Sequence, residues 1–325
     1  MKIVFHGENA ASFSGGFDRL LDIPSEIVLL PDRLSEADRR AYEQADVIIG
    51  VKFDASLPKP KRLSLFHVPG AGYDAVDLKA LPQTAVICNC FGHEQAIAEY
   101  VMGAILARHL PLADADARLR RGEWTYWAGA AARAHDELAE KTIGLLGYGH
   151  IGKAIARRAK AFDMRVSVAN RSAVQPSETV DEAFTLDQLG AFWGSADFIV
   201  TSLPLTEETA GIVGPEAFAA MRSDAVLVNV GRGPTVDQRA LYDALKTERI
   251  AGAIIDTWYA YPAPDSPRAL PAELPFHELS NIVMTPHMSG WTGGTIRRRQ
   301  RTMATNIMRR HSGEACINVV REALA

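Results

Sequence analysis

The sequence predicts an α/β protein of two domains built on parallel sheets. Three observations predict it. The chain has 325 residues, about twice the usual domain length. Short apolar runs alternate with polar, helix-forming stretches along most of it. A glycine-rich turn stands between a strand pattern and a helix pattern near the middle. Apolar residues at 47% and charged residues at 23% are those of a soluble globular chain. A formal net charge of −4 lacks the basic field that non-specific nucleic-acid binding needs. No apolar run reaches the roughly 18 residues of a membrane span. The opening Met1-Lys2-Ile3-Val4-Phe5-His6 turns polar too soon for a secretory signal. Cys88, Cys90 and Cys316 form no Cys-x-x-Cys and no disulfide framework, so a reducing cytoplasm is expected. Neither a nucleic-acid nor a membrane partner is expected.

The elements follow in order. Lys2–Phe5, Glu26–Leu30, Asp46–Val51 and Leu63–Val68 read as strands, with helix-friendly Asp38–Ala45 between the second and third. From Glu94 to His109, Ala98, Val101, Met102, Ile105 and Leu106 recur at helical spacing. Pro111 stops that helix. Gly122–Glu137, with Trp124, Tyr126 and Trp127, reads as a loop or arm between domains or subunits. Thr142–Leu146 is the next strand, Lys153–Phe162 a helix, and Arg165–Ala169 a strand. Phe198–Ser202, Ala225–Val230, Ala253–Asp256 and Ile282–Thr285 follow as strands, and Gly290–His311 as a final helix.

Gly147-Tyr148-Gly149-His150-Ile151-Gly152 directly follows the Thr142–Leu146 strand. Gly-x-Gly-x-x-Gly alone is weak evidence, but strand before, helix after and a second strand beyond make it a dinucleotide-binding signature. Gly147 permits the tight turn, Gly149 lets backbone approach a pyrophosphate, and Gly152 lets helix pack on strand. His150 and Ile151, inside the motif, are counted among the cofactor-binding residues, and the helix that follows offers unpaired N–H groups to phosphate. The alternative is an ordinary glycine turn.

The end of the next strand selects the cofactor. An Asp or Glu there binds the ribose hydroxyls of NAD. This chain reads Asn170-Arg171-Ser172. Arg171 offers a guanidinium for a 2′-phosphate, Asn170 and Ser172 offer hydrogen bonds, and no carboxylate repels the phosphate. NADP is therefore expected over NAD. The alternative is a solvent-exposed arginine beside an NAD site.

Three later segments each stand where a strand ends, where open α/β sheets put ligand-binding residues. They are Asn229-Val230-Gly231-Arg232-Gly233, Asp256-Thr257-Trp258-Tyr259-Ala260-Tyr261-Pro262 and Thr285-Pro286-His287-Met288-Ser289-Gly290. With the glycine motif, their order and spacing resemble the D-isomer-specific 2-hydroxyacid dehydrogenases over nearly the whole chain. That family includes glyoxylate/hydroxypyruvate reductases, phosphoglycerate dehydrogenases, D-lactate dehydrogenases and formate dehydrogenases. The resemblance implies two Rossmann-like domains, the cofactor domain inserted into the substrate domain. Residues 94–289 would form the dinucleotide-binding domain, and 1–93 with 290–325 a flavodoxin-like substrate domain.

Roles carry over position by position. The resemblance makes Arg232 the arginine that binds substrate carboxylate and keto oxygen, a task its planar fork of donors suits. It makes His287 the acid/base, which must protonate the alkoxide formed by hydride transfer. The bland readings are a surface arginine and a structural histidine. Pro69-Gly70-Ala71-Gly72-Tyr73-Asp74-Ala75-Val76-Asp77 matches the substrate loop, where N–H groups at Ala71 and Gly72 grip the carboxylate. Pro204 and Asp256 are counted among the cofactor-binding residues. Tyr261 departs from the pattern: most members carry Glu there, which pairs with the histidine and raises its pKa. A phenol orients the ring without that charge, or merely packs.

Formate dehydrogenases carry a neutral Gln at that position and a similar Pro-x-Pro, here Pro262-Ala263-Pro264. His109, after Arg108, replaces their formate-holding Asn, so it is either a departure from them or a helix-end cation. Trp291 is expected toward substrate, Trp258 in core or pocket wall, and Glu99 in a structural role. The remaining histidines show no metal spacing, and no metal is expected. Arg297-Arg298-Arg299-Gln300-Arg301 spreads around a helix and reads as solvated faces. The expected reaction is NADPH-dependent reduction of a small 2-keto acid, glyoxylate or hydroxypyruvate first, by a homodimer. Formate oxidation and dinucleotide sensing are the alternatives.

Overall fold

The computed structural model describes residues 1–129, 131–262 and 268–323. Ala263 and Pro264 of the Pro-x-Pro segment, Ala130 of the aromatic arm and the last two residues lie outside the described residues. The chain divides into two compact units: Met1–Gly92 with Thr292–Ala325, and His93–Trp291.

The first unit opens with β1 (Lys2–His6), α1 (Glu8–Ala11), β2 (Glu26–Leu30), α2 (Glu36–Glu43), β3 (Val47–Gly50), β4 (Leu65–His67) and β5 (Val86–Cys88). Ser35 caps α2 in a reciprocal capping box with Asp38, which explains why this polar stretch is helical. The second unit runs through α3 (Glu94–His109), α4 (Leu112–Leu119), β6 (Thr142–Leu146), α5 (His150–Lys160), β7 (Arg165–Ala169), β8 (Glu182–Phe184), α6 (Leu189–Gly194), β9 (Phe198–Thr201), α7 (Pro215–Ala220), β10 (Val226–Asn229), α8 (Gln238–Lys246), β11 (Gly252–Ile255) and β12 (Ile282–Met284). The chain then returns to the first unit as α9 (Gly293–His311) and β13 (Val319–Arg321).

The first unit's sheet has the order β13-β5-β4-β3-β1-β2. All its pairs are parallel except β13, which runs antiparallel to β5. The parallel sheet expected here thus carries one antiparallel strand at its edge. Three-residue strands such as β5, β8 and β13 carry too little pattern to read locally; pairing with a neighbour makes them strands. The second sheet, β12-β11-β10-β9-β6-β7-β8, is entirely parallel. Its inner strands β9, β10 and β11 are buried throughout, and β6 and β7 in all but their first residue, as sheets covered on both faces require.

α3 spans Glu94–His109 as its periodicity predicts, burying Ile97, Ala98, Val101 and Ile105 in one cluster with Ala154, Ile155 and Ala159 of α5. Small alanines on α5 allow the close approach of the two helices. Each large aliphatic side chain buried there contributes roughly 1.5–3 kcal/mol. Pro111 does end α3, forcing Leu110 into extended geometry, but it also stands as the N-cap position of α4. The sequence pattern assigns no element to α4, whose Asp114–Arg118 and Asp116–Arg120 pairs lie at i,i+4 spacing. Among the described residues no helix is long and apolar enough to cross a membrane.

Candidate active site

The second sheet places every candidate of that unit at one edge, because each follows the C-terminal end of a parallel strand. Along that edge come His287 after β12, Asp256 after β11, Arg232 after β10, Pro204 after β9, Gly147–Gly152 after β6, and Asn170–Ser172 after β7. The strand order reverses between β9 and β6, the switch point where open α/β sheets take their ligands.

The glycine motif has the shape its residues predict. Gly147 has φ +97°, open to glycine at little cost. A Cβ on Gly152 would lie 2.3 Å from the Gly147 carbonyl oxygen, so the turn closes onto the helix only without a side chain. A Cβ on Gly149 would meet nothing within 4 Å, and Gly149 supplies no side-chain cap to α5. Open space over an uncapped helix N-terminus fits the pyrophosphate of a dinucleotide. Beside it, the Tyr148 N–H donates to Asn170 Oδ1 (3.1 Å), and Asn170 Nδ2 donates to the Ser172 carbonyl (2.8 Å). Asn170 thus braces the turn with both ends of its amide. Arg171 is exposed beyond β7. Its charge reaches Glu208, which is held below the ordinary carboxylate range first by Thr206, with a smaller share from Arg171. Sequence order gave no hint of that carboxylate.

Glycines also set Arg232. A Cβ on Gly231 would lie 2.7 Å from the Leu203 carbonyl oxygen, and one on Gly233 would lie 2.2 Å from that of Trp258. Backbone packs tightly on both sides of the arginine. The Gly231 N–H donates to Asn229 Oδ1 (3.1 Å) and Asn229 Nδ2 to the Arg232 carbonyl (3.1 Å), so the turn after β10 is fixed locally.

His287 sits in the left-handed region at φ +57°. For a residue with a side chain this costs about 1–2 kcal/mol, so the surroundings must hold it. They do so from both sides. The Trp258 indole donates to the Thr285 carbonyl (2.8 Å). Buried Asp256 accepts the Thr285 hydroxyl (2.6 Å) and the N–H groups of Met288 and Ser289 (2.9 Å each). Charge-assisted bonds of this kind contribute roughly 1.5–3 kcal/mol each and outweigh the strain. Asp256, expected among the cofactor-binding residues, is here the clamp of the histidine turn. Trp258 is core, packed on Phe276.

Tyr261 does meet His287: its hydroxyl lies 2.9 Å from Nδ1 and accepts the Trp258 N–H (3.2 Å). With neutral imidazole the phenol donates to Nδ1, which leaves the ring proton on Nε2. With imidazolium the same oxygen accepts from Nδ1–H and the half-exposed hydroxyl turns its proton to solvent. Orientation survives in both states, but the phenol brings no charge to favour the second. Desolvation lowers the His287 pKa, Asp256 opposes this, and Arg232 adds to it. Tyr261→Glu would supply the missing charge and raise that pKa. The protonated form, which reduction needs, would then persist to higher pH. We expect the alkaline limb of the reduction pH–rate profile to move up by about one pH unit; coincident limbs would refute the pairing role.

Other expectations move. His109 lies 3.7 Å from Asp136 and against Phe198, at the start of β9 and so at the opposite end of the strands from His287. The formate-site comparison at His109 is corrected accordingly. Glu99 pairs with Arg158 of α5, and Trp291 is partly exposed. In the first unit, Ala71 and Gly72 lie in a loop held by Asn89 Nδ2 on the Ala71 carbonyl (2.7 Å) and by a bridge from Phe53 to Val76. Among the described residues, no group of three or more His, Cys, Asp or Glu gathers as a metal site. Thr285 and Tyr100, which meet at 2.7 Å, were not singled out as site residues, since their contact joins positions 185 apart.

Residues 102–289 match the family model described as "D-isomer specific 2-hydroxyacid dehydrogenase, NAD binding domain". The chain is 33% identical over 297 residues to a glyoxylate/hydroxypyruvate reductase B of Yersinia enterocolitica, covering 86% of this chain and 85% of that one. It is 30% identical over 310 residues to a D-3-phosphoglycerate dehydrogenase of Methanocaldococcus jannaschii, covering 93% of this chain but only 56% of that protein's length. A solved D-isomer specific 2-hydroxyacid dehydrogenase from Xanthobacter autotrophicus Py2, in complex with NADPH and MES, superposes with TM-score 0.77 at 25% identity, over 98% of each chain. A parallel sheet with a dinucleotide turn at its switch point, and these matches over most of the chain, make this protein a member of the D-isomer-specific 2-hydroxyacid dehydrogenase family.

Proposed function

We propose that the protein reduces a small 2-keto acid to the D-2-hydroxy acid, with NADPH preferred over NADH. The observation that carries this reading is the placement of Arg232 and His287 just beyond the C-terminal ends of β10 and β12, along the same end of one parallel sheet as the dinucleotide turn. When bound, the nicotinamide supplies a hydride. Arg232 holds the substrate carboxylate and polarises the keto oxygen. His287 Nε2 delivers the proton to the developing alkoxide, and Tyr261 keeps the ring aimed. Gly147, Gly149, His150, Ile151 and Gly152 cradle the pyrophosphate, with Pro204 and Ser172 beside it.

Glyoxylate and hydroxypyruvate come first because the Yersinia relative carries those names. The NADPH preference rests on Arg171 and on the missing carboxylate after β7, with the Xanthobacter complex as support. A homodimer would use the exposed Leu112, Leu119, Trp124 and Trp127. Three cysteines outside any disulfide suit the cytoplasm.

The test follows nicotinamide absorbance over a panel of 2-keto acids with NADPH and NADH. Arg171→Ala should raise the KM for NADPH about 10- to 100-fold and leave that for NADH nearly unchanged, the loss of one charged hydrogen-bonding group. Equal wild-type use of NADH would overturn the preference. Tight NADPH binding without turnover would favour a sensor.

A further inference from the structure

The turn that carries His287 hangs from Asp256, and Asp256 is itself supported from a third element. The Thr285 hydroxyl lies 2.6 Å from Asp256 Oδ1 and 2.7 Å from the Tyr100 hydroxyl of α3. A hydroxyl has one proton. A carboxylate accepts only, so Thr285 donates to Asp256. Tyr100 must then donate to Thr285. The chain of donors runs one way, from α3 through β12's end to the carboxylate after β11. Asp256 spends its remaining bonds on the N–H groups of Met288 and Ser289, the two residues after His287.

We propose that Tyr100 is a positioning residue for His287, acting through Thr285 and Asp256 to hold the left-handed turn that presents the imidazole. The inference rests on the reading of His287 as the acid/base and deepens it. Among the described residues, the Tyr261 phenol touches the His287 ring, and the charges of Asp256 and Arg232 act on it in opposite directions. Of these Asp256 favours imidazolium, so whatever fixes its place bears on the acid. A phenylalanine at position 100 would fill much the same volume, so the hydroxyl is separable from the packing.

The experiment uses the full chain with Tyr100→Phe, Thr285→Val, Thr285→Ser and the double variant of the first two. With the best 2-keto acid and saturating NADPH, Tyr100→Phe should lower kcat about 5- to 20-fold and leave both KM values within about twofold. The double variant should be no slower than Thr285→Val alone, because the two hydroxyls act in series. Thr285→Ser, which keeps the hydroxyl, should retain most of the activity. Ring titration of ¹³C-labelled histidines, with His287 assigned by its loss in His287→Asn, should move its midpoint up by about a few tenths of a pH unit in Tyr100→Phe. The sign follows from removing a donor chain that offsets the carboxylate's charge. Independent, multiplying losses in the double variant would overturn the proposal. So would an unmoved His287 titration with unchanged kcat. If the wild type turns over no 2-keto acid, the functional reading fails, and the titration alone then supports or overturns the positioning role.

Discussion

His287→Asn is expected to lower keto-acid reduction by about three orders of magnitude in kcat, within the range that general acids contribute. Asparagine is chosen because it tolerates the left-handed backbone at φ +57° and still offers Tyr261 a hydrogen-bonding partner. It has no transferable ring proton. The thermal midpoint should stay within about 2 °C of wild type and NADPH affinity within about threefold. Single-turnover rates with and without excess proton donor check the assignment. A loss below tenfold would mean that another group supplies the proton.

Gly233→Ala should be the most damaging single-methyl change. The new Cβ would lie 2.2 Å from the Trp258 carbonyl oxygen and 2.3 Å from its carbon. Backbone stands on both sides, so no side chain can swing away. We expect a destabilisation of about 3–5 kcal/mol and a fall in the thermal midpoint of roughly 10 °C. Turnover should fall more than about 100-fold, since Arg232 moves with its neighbour. Gly149→Ala is the control, because its Cβ meets open space. It should leave the thermal midpoint unchanged while raising the KM for the dinucleotide. Equal melting of the two variants would refute the close approach of residues 233 and 258.

Much of the site could be read locally. The glycine turn, Arg232 between two glycines and Thr-Pro-His after a strand are short motifs, and each needs particular residue types within a few positions. The reason Gly231 and Gly233 are glycine was not readable, because the obstructing atoms belong to Leu203 and Trp258. The same holds for Glu208 near Arg171, and for His109 at the far end of the sheet.

Periodicity and motif order by themselves decided the α/β class and the dinucleotide turn, and the resemblance those motifs carry supplied the family and the acid/base candidate. These depend on spacing along one strand, turn or helix. Only the folded chain decided that β13 joins its sheet antiparallel, that Asp256 clamps the histidine turn, and that Tyr100 supports Asp256 through Thr285. Those outcomes rest on hydrogen bonds between residues far apart in sequence, and donors and acceptors find such partners only when the sheet and α3 have brought them within 3 Å.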